Sequence, residues 1–226
     1  MKLPSIYTQQ DLIRLVNEVG FLPFFSGPIP GFSIDDAVPL EVWNTNQGLG
    51  PWMWRDEIAN EGSCIYGKLF MGKTGYVSKA WFAHLANYRR DGYDFDARYD
   101  DGMARYEDKR IYDLILNNGP ISSSALRSLA GVERGKASRF EVTMTRLQMM
   151  TYVVPCDFLF PRDAQGEKKY SYGVTVFDIP ERWLGEDSVR GKYKTDPRDS
   201  FQAILEHLRK MLPEANEKDI LKLIRV

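Results

Sequence analysis

The chain has 226 residues, enough for one large domain or two small ones around an apolar core. Its 30 Lys and Arg residues nearly balance 31 Asp and Glu residues, which excludes a histone-like basic protein and an acidic disordered tail. Aromatic residues form 13% of the chain, a fraction that favours a packed core or ligand stacking over disorder.

Targeting and metal-binding signals are missing from the sequence. No secretion signal begins it, and no later run approaches the ~20 apolar residues that cross a bilayer, so we expect a cytoplasmic protein without membrane partners. Cys64 and Cys156 occur without a CxxC motif, which argues against a disulfide framework or a zinc site. His84 and His207 are the only histidines and offer no basis for a two-histidine metal site or a Ser-His-Asp triad. We expect no metal and no other cofactor.

The first predicted element is an amphipathic helix within residues 8–20. Thr8 is a capping residue, Asp11 stands three positions further on, and Gly20 closes the pattern. Residues 21–51 then carry five prolines and many glycines between apolar residues. This composition predicts ordered irregular backbone rather than helix.

Mixed structure is predicted from Trp52 to Trp81. Residues 65–70 alternate like a strand, and a turn leads into a returning strand that ends near Ser78, the expected cap of the next helix. Residues 67–74 also match the GxxxxGKT spelling of a phosphate-binding loop. Such a loop must open a helix, whereas strand-like residues follow here, so the sequence argues against nucleotide hydrolysis.

The middle of the chain has the element order of a winged helix-turn-helix. Apolar spacing and capping residues predict three successive helices, over residues 109–118, 122–131 and 139–150. Two β-rich runs, at residues 152–160 and 170–177, flank a turn-rich segment and predict a hairpin. In this fold the third helix commonly enters a major groove of DNA.

Three regions are predicted within an α+β fold that has a winged helix-turn-helix core. Residues 1–107 form the amino-terminal helix and an aromatic mixed region, and residues 108–180 form the winged helix. A polar segment with seven acids against four arginines, at residues 89–108, separates the two. The third region, residues 181–226, packs on the rest and contains two predicted helices, at residues 198–212 and 217–225.

Cationic side chains cluster around the third predicted helix. Residues 122–149 carry five basic residues against two acidic ones, a local excess that suits a phosphate backbone. Thr143, Thr145 and Gln148 are placed to touch base edges or further phosphates. The alternatives are an ordinary solvated face or a protein-interaction module. The candidate residues for binding double-stranded or damaged DNA are Arg127, Arg134, Lys136, Arg139, Thr143, Arg146, Arg162, Lys168 and Lys169.

Aromatic and charged residues earlier in the chain predict a pocket. Trp52, Trp54, Arg55, Tyr66 and Lys68 are the candidates for a cleft in which a flat group stacks on indole and a charged side chain bonds its edge. The alternative is ordinary packing. Two tryptophans two positions apart share one face if the segment is a strand.

Asp56 and Glu57 are the weak candidates for catalytic carboxylates. They follow the two tryptophans directly and would therefore be within reach of the predicted pocket. Adjacent acids, however, usually point apart, and acid-base work needs a spatially facing pair with separated pKa values. Caps and surface acids are the alternative interpretation.

Several stretches resemble the AlkZ-related proteins of the winged-helix superfamily of bacterial DNA glycosylases. They are residues 15–24 (LVNEVGFLPF) and 87–99 (NYRRDGYDFDARY), together with Tyr66-Gly67-Lys68 and the winged-helix order. The likeness covers most of the chain. Glycosylases of this superfamily combine tandem winged helices in a concave DNA-binding scaffold and remove alkylated or crosslinked bases. The resemblance therefore implies a DNA-facing role.

The catalytic signature of those glycosylases is a glutamine, an apolar residue and then aspartate or glutamine, just after the first helix. Pro23, Phe24 and Phe25 occupy the corresponding positions, and none of them can activate water or stabilise a sugar cation. Gln9, Gln10 and Asp11 match the letters of this signature earlier in the chain, but Asp11 is better explained as a helix cap. We therefore expect a DNA-binding protein without the family motif. The alternatives are a glycosylase that uses Asp56 or Glu57, and a winged-helix regulator or protein-interaction module.

Overall fold

The computed structural model describes residues 3–43, 50–132, 137–160 and 173–225. These residues combine helices with two small antiparallel sheets, which confirms the predicted α+β class. The helices are α1 (Gln9–Val19), α2 (Ile34–Ala37), α3 (Leu40–Trp43), α4 (Pro51–Glu61), α5 (Lys79–Arg90), α6 (Phe95–Asp100), α7 (Tyr106–Asn118), α8 (Ser123–Leu129), α9 (Ala137–Met149), α10 (Pro180–Leu184), α11 (Glu186–Arg190), α12 (Pro197–Met211) and α13 (Glu217–Ile224). The strands are β1 (Phe21–Pro23), β2 (Ile65–Phe70), β3 (Lys73–Val77), β4 (Ile121–Ser122), β5 (Val154–Leu159) and β6 (Val174–Asp178).

Helix α1 begins and ends where the sequence predicts. Thr8 Oγ1 accepts a hydrogen bond from Asp11 N at 3.1 Å, and Thr8 N donates to Asp11 Oδ2 at 3.1 Å, which is a reciprocal capping box. Hydrogen bonding from the Thr8 hydroxyl lowers the pKa of Asp11. At the other end Gly20 adopts a φ of +80° and its N–H donates to Val16 O. The Asp11 carboxylate is thus used as a cap, as predicted.

The first sheet has the strand order β1-β3-β2 and confirms the predicted hairpin. The reversal occurs at Met71 and Gly72, both of which have positive φ, and β3 begins at the next residue, Lys73. Gly75 lies within β3, where a Cβ would meet the Phe70 ring at 2.5 Å and Leu22 O at 2.7 Å. The residues that spell a phosphate loop therefore form a hairpin and open no helix.

Trp52 and Trp54 lie in helix α4, so the strand interpretation of this pair is wrong. Pro51 occupies the first helical turn after Gly50, a position at which proline favours helix. Residues two apart in a helix project about 200° apart. Trp54 is accordingly buried in the core, whereas Trp52 is partly exposed and stacks on Phe24 with ring centroids 4.3 Å apart.

The three helices and the paired strands predicted in the middle of the chain are present as α7, α8, α9, β5 and β6. Ser122 Oγ accepts from Ala125 N at 3.2 Å and caps α8 as predicted. The second sheet has the order β4-β6-β5, with β4 contributed by the link between α7 and α8. The predicted turn at residues 163–167 lies outside the described residues.

The carboxyl-terminal region, residues 181–226, matches the prediction in part. Helices α12 and α13 are confirmed, and their caps are Asp196 and Asn216. Helices α2 and α3 and strand β1 lie within residues 21–51, where the sequence predicted irregular backbone rather than helix, and helices α10 and α11 were not predicted either. Three to five residues are too few to establish a 2.0 or 3.6 residue period. No helix in the described part of the chain is long and apolar enough to span a bilayer.

Two hydrophobic cores underlie the fold. The larger collects side chains from α1, the first sheet, α4, α5, α12 and α13. The smaller lies among α6, α7, α8, α9 and β6. The carboxyl-terminal helices therefore pack on the amino-terminal elements, with the middle helices alongside. The division at residues 107/108 and 180/181 stays a prediction.

Arg89, near the end of α5, joins these elements through backbone carbonyls. Its guanidinium is buried and donates to Leu69 O at 2.8 Å, to Met149 O at 2.9 Å and to Ile224 O at 3.1 Å. Met149 and Ile224 are the last residues of α9 and α13, where helix dipoles are negative and favour a cation. Because burial disfavours the charge, the pKa of Arg89 falls to about 10.

Arg90 forms a second buried junction. Only 1% exposed, it bonds the Glu181 carboxylate, donates to Tyr193 Oη at 2.8 Å and to Thr151 Oγ1 at 3.2 Å, and lies 4.6 Å from the Tyr152 ring centroid. Burial alone would raise the pKa of Glu181, but Arg90 outweighs it and the pKa falls below its ordinary value. The pair ties α5 to α10 and to the chain after α9.

The Arg90→Met substitution should destabilise the protein by about 3–5 kcal/mol, because it leaves the Glu181 carboxylate buried without its main partner. Urea unfolding followed by circular dichroism measures this change. Arg14→Met is the matched control, since Arg14 is exposed and its Asp11 contact is 3.6 Å long, so its loss should cost below about 1 kcal/mol. Equal effects of the two substitutions would contradict the assigned role of Arg90.

Candidate nucleic-acid interface

Helix α9 offers solvent a narrow face beside the start of α7. Ser138, Arg139 and Val142 are exposed on α9, and Tyr106 on α7 is 66% exposed. Together with Arg105 they border a groove of ≈ 510 Å³ that also reaches Arg146, which we call the outer groove. Its wall combines guanidinium groups, two hydroxyls and the exposed side chains of Tyr106 and Val142. It also holds one carboxylate, Glu107, which is paired with Arg110 at 2.9 Å.

The arginines of the outer groove differ in how they are held. Among the described residues, Arg105 and Arg139 form no ion pair. Arg146 bonds both carboxylate oxygens of the buried Asp108, with Nε to Oδ2 at 2.7 Å, and these bonds raise the pKa of Arg146. Two groove cations are therefore available to an external anion, and the third is fixed in place.

The opposite flank of α9 is covered by strand β2. Lys68 Nζ donates to Thr145 Oγ1 at 3.0 Å, and Lys68 N donates to Gln148 Oε1 at 3.0 Å. Thr143 lies on the other side of α9, at the outer groove, where it is buried and its Oγ1 accepts a long bond from Arg146 Nη2 at 3.4 Å. Thr143, Thr145 and Gln148, predicted to reach DNA, are thus bonded within the protein.

A smaller pocket of ≈ 200 Å³, the inner pocket, lies between this flank and the first sheet. Three of the residues predicted for a pocket, Arg55, Tyr66 and Lys68, line it together with Arg127 and Glu141. The Glu141 carboxylate bonds the Arg127 guanidinium and lies 3.5 Å from Lys68 Nζ. One carboxylate therefore bridges two cations from separate elements.

Glu141 is the functional candidate that sequence reasoning missed. It begins a polar stripe at positions 141, 145 and 148 of α9, beside the apolar stripe of Phe140, Met144 and Leu147. The polar stripe was the signal available in the sequence, because a helix with two adjacent stripes in contact with other elements needs a partner for each stripe. Its partner Lys68 lies 73 residues away in the chain, which no local pattern reveals.

The other residues predicted for the pocket or for catalysis do not line the inner pocket. Trp52 and Trp54 do not line the inner pocket. Arg55 lies 4.5 Å from the Phe158 ring centroid, and its Nε donates to Asp56 Oδ1 at 3.0 Å. Glu57 is exposed on α4 and lines neither the inner pocket nor the outer groove. Asp56 is therefore engaged by a cation next to it, and Glu57 faces solvent.

The predicted DNA-binding cations divide between the two sides of α9. Arg127 lines the inner pocket, whereas Arg139 and Arg146 line the outer groove. Among the described residues they do not converge on one concavity, because positions 139 and 146 project away from positions 141 and 145 on a helix. The other predicted cations lie outside the described residues; they are Arg134, Lys136, Arg162, Lys168 and Lys169.

The positions that correspond to the glycosylase signature are packing residues. Pro23 ends β1, and Phe24 is buried against Trp52 and Trp43. Phe25 is partly exposed and packs beside Trp52. Within the described residues, no group of three His, Cys, Asp or Glu side chains is arranged to hold a metal ion.

The two thiols are also poor nucleophiles. Cys64 and Cys156 are free and buried, and burial raises the pKa of each to about 12. Both thiols are therefore protonated at neutral pH. We expect no reaction of the native protein with Ellman's reagent at pH 8 within the time that the urea-unfolded protein releases two equivalents. A fast native equivalent would contradict this burial.

Comparison with known proteins gives one match. A family model described as AlkZ related matches residues 6–225, a span that includes both sheets, the outer groove and the inner pocket. The resemblance found in the sequence is thereby confirmed. Neither curated proteins nor solved structures give a match.

Proposed function

The chain belongs to the AlkZ-related family, and on that basis we propose that it binds duplex DNA without the catalytic motif of the related glycosylases. The outer groove carries this proposal. Arg105 and Arg139 border it with no ion pair among the described residues, so their charges are available to phosphate. Pro23, Phe24 and Phe25 supply no polar group at the positions of the signature.

We further propose that α7, α8, α9 and the second sheet act as a winged helix-turn-helix, with α9 as its third helix and β5 and β6 as the wing. The element order and the strand order β4-β6-β5 support this assignment. Arg139 and Val142 lie in the first half of α9, the part of such helices that meets base edges. Residues 1–107 and 181–226 would then be the supporting regions.

Contacts to the phosphate backbone dominate this mode of binding. Strand β2 covers the flank of α9 that carries Glu141, Thr145 and Gln148, so this flank cannot enter a groove of DNA. The exposed face retains Ser138, Arg139 and Val142 near the start of the helix. Binding should therefore be strongly salt-dependent and only weakly selective for base sequence.

Charge reversal at Arg105 and Arg139 tests the outer groove. The Arg105→Glu/Arg139→Glu double variant should bind a 20-base-pair duplex at least about tenfold more weakly, and the slope of log Kd against log salt should fall by about two. Fluorescence anisotropy at several salt concentrations measures both quantities. Arg146 is left intact because its replacement would strand the Asp108 carboxylate.

The matched control is Lys210→Glu/Lys218→Glu, which makes the same change of charge at exposed positions on α12 and α13. Equal loss in the two double variants would mean that net charge, not the outer groove, governs binding. Absence of duplex binding by the unmodified protein, with elution as a tight dimer, would instead favour the protein-interaction alternative.

Base excision is the second candidate function, and the inner pocket favours it. Glu141 lies there between Lys68 and Arg127, beside the aromatic rings of Tyr66 and Phe158. Its two ion pairs offset the charge of Glu141, so this carboxylate could stabilise a developing positive charge on a sugar only once a substrate displaces Lys68 or Arg127, while the rings contact a base. Here the reacting carboxylate would be Glu141, in place of Asp56 or Glu57.

We expect no abasic product from alkylated duplex at enzyme excess, because the signature positions hold Pro23, Phe24 and Phe25. Alkaline cleavage of end-labelled duplex, resolved on a gel, is the measurement. If the unmodified protein forms an abasic product and Glu141→Gln does not, while the variant still binds the duplex, base excision becomes the favoured function. Asp56→Asn and Glu57→Gln serve as controls for the other two carboxylates.

A further inference from the structure

A cleft of ≈ 600 Å³ opens where α5, α6 and α12 meet the residue that follows α13. It shares no lining residue with the outer groove or the inner pocket. Its size lies in the range of small-molecule sites. Two kinds of surface form it: a cationic rim and an aromatic floor.

The rim carries arginines from three separate elements. Arg98 belongs to α6, Arg198 to the first turn of α12, and Arg225 follows α13. None of the three forms an ion pair among the described residues, and Arg198 and Arg225 are exposed. Asp91 is the single acid among the lining residues, so the cleft has an excess of positive charge.

Arg89 adds a fixed charge behind the rim. Its guanidinium is buried, lines the cleft and is held by the carbonyls of Leu69, Met149 and Ile224 rather than by a carboxylate. A charge embedded in a low-dielectric wall concentrates positive potential in the cleft beside it. An anion bound there meets the buried Arg89, the half-buried Arg98, whose Nη1 donates to Arg90 O at 3.3 Å, and the exposed Arg198 and Arg225.

The floor of the cleft is apolar and partly aromatic. The rings of Tyr88 and Phe201 have centroids 4.9 Å apart and an interplanar angle of 41°. Met150 and Pro197 extend this floor. A flat ring can pack on such a surface while guanidinium groups bond oxygens at one end of the same ligand.

From this arrangement we propose that the cleft binds a phosphomonoester whose esterified group also carries a nucleobase-sized ring. A phosphomonoester bears close to two negative charges at neutral pH and has three oxygens that can accept from several arginines at once. The shared chemistry belongs to a free nucleoside monophosphate and to a phosphorylated 5′ end of a DNA strand. The site is independent of the duplex contact proposed at the outer groove.

Deoxyadenosine monophosphate is the first probe, with deoxyadenosine as the probe that lacks the phosphate. Isothermal titration should show binding of the monophosphate, and removal of the phosphate should weaken it at least about tenfold. Arg198→Ala/Arg225→Ala should lower the affinity for the monophosphate by a similar factor. Lys210→Ala/Lys218→Ala, at exposed sites on the same two carboxyl-terminal helices, should leave the affinity unchanged.

A second pair of probes identifies the source of the phosphate. Blunt duplexes with 5′-phosphate or 5′-hydroxyl ends are compared in the Arg105→Glu/Arg139→Glu background, so that failure of the outer groove does not affect the result. A preference for the 5′-phosphate that Arg198→Ala/Arg225→Ala removes would support a DNA end as the ligand. Binding of the free monophosphate alone, lost in the same variant, would support a nucleotide.

Three results would overturn the proposal. The first is that the protein neither binds the monophosphate nor prefers the 5′-phosphorylated duplex. The second is equal affinity for the monophosphate and deoxyadenosine. The third is unchanged binding in Arg198→Ala/Arg225→Ala when circular dichroism shows that this variant is folded.

Discussion

The two buried arginines at the end of α5 are the constraint on which the rest of the structure depends. Arg89 binds carbonyls at the ends of β2, α9 and α13, and Arg90 binds Glu181 and Thr151. Charges are costly to bury, so each must keep every partner to be tolerated. Both arginines contact the carboxyl-terminal end of α9 or the chain just after it, at Met149 and Thr151, and so help to position the helix that borders the outer groove.

Much of the secondary structure could be predicted because its signals are local. The Thr8 and Asp11 capping box and the Ser122 cap each specify the start of a helix within a few residues. Helix α4 was missed because the spacing of Trp52 and Trp54 fits a strand, and the proline that starts the helix was assigned to the preceding irregular segment. Tertiary packing, rather than periodicity, determines β1, α10 and α11.

The candidate sites were less predictable, since pairings between distant residues decide which charges remain available. Composition singled out Arg139 correctly as an exposed cation of α9. It could not reveal that Asp108, 38 residues earlier, holds Arg146, or that Lys68 and Arg127 share Glu141. Net charge over a segment therefore overestimates the number of side chains free to meet a phosphate.

Contacts with the first sheet hold helix α9 in place. The hairpin reversal meets the end of the helix, where Gly72 N donates to Met149 Sδ at 3.3 Å, and Lys68 holds the middle of its flank. Helix α9 is thus held on two sides, by the smaller core and by strand β2. On the proposed binding mode, a duplex at the outer groove must therefore change its own shape. Base steps that kink or unstack easily, including those beside a lesion, would then be favoured by their deformability rather than by contacts to their bases.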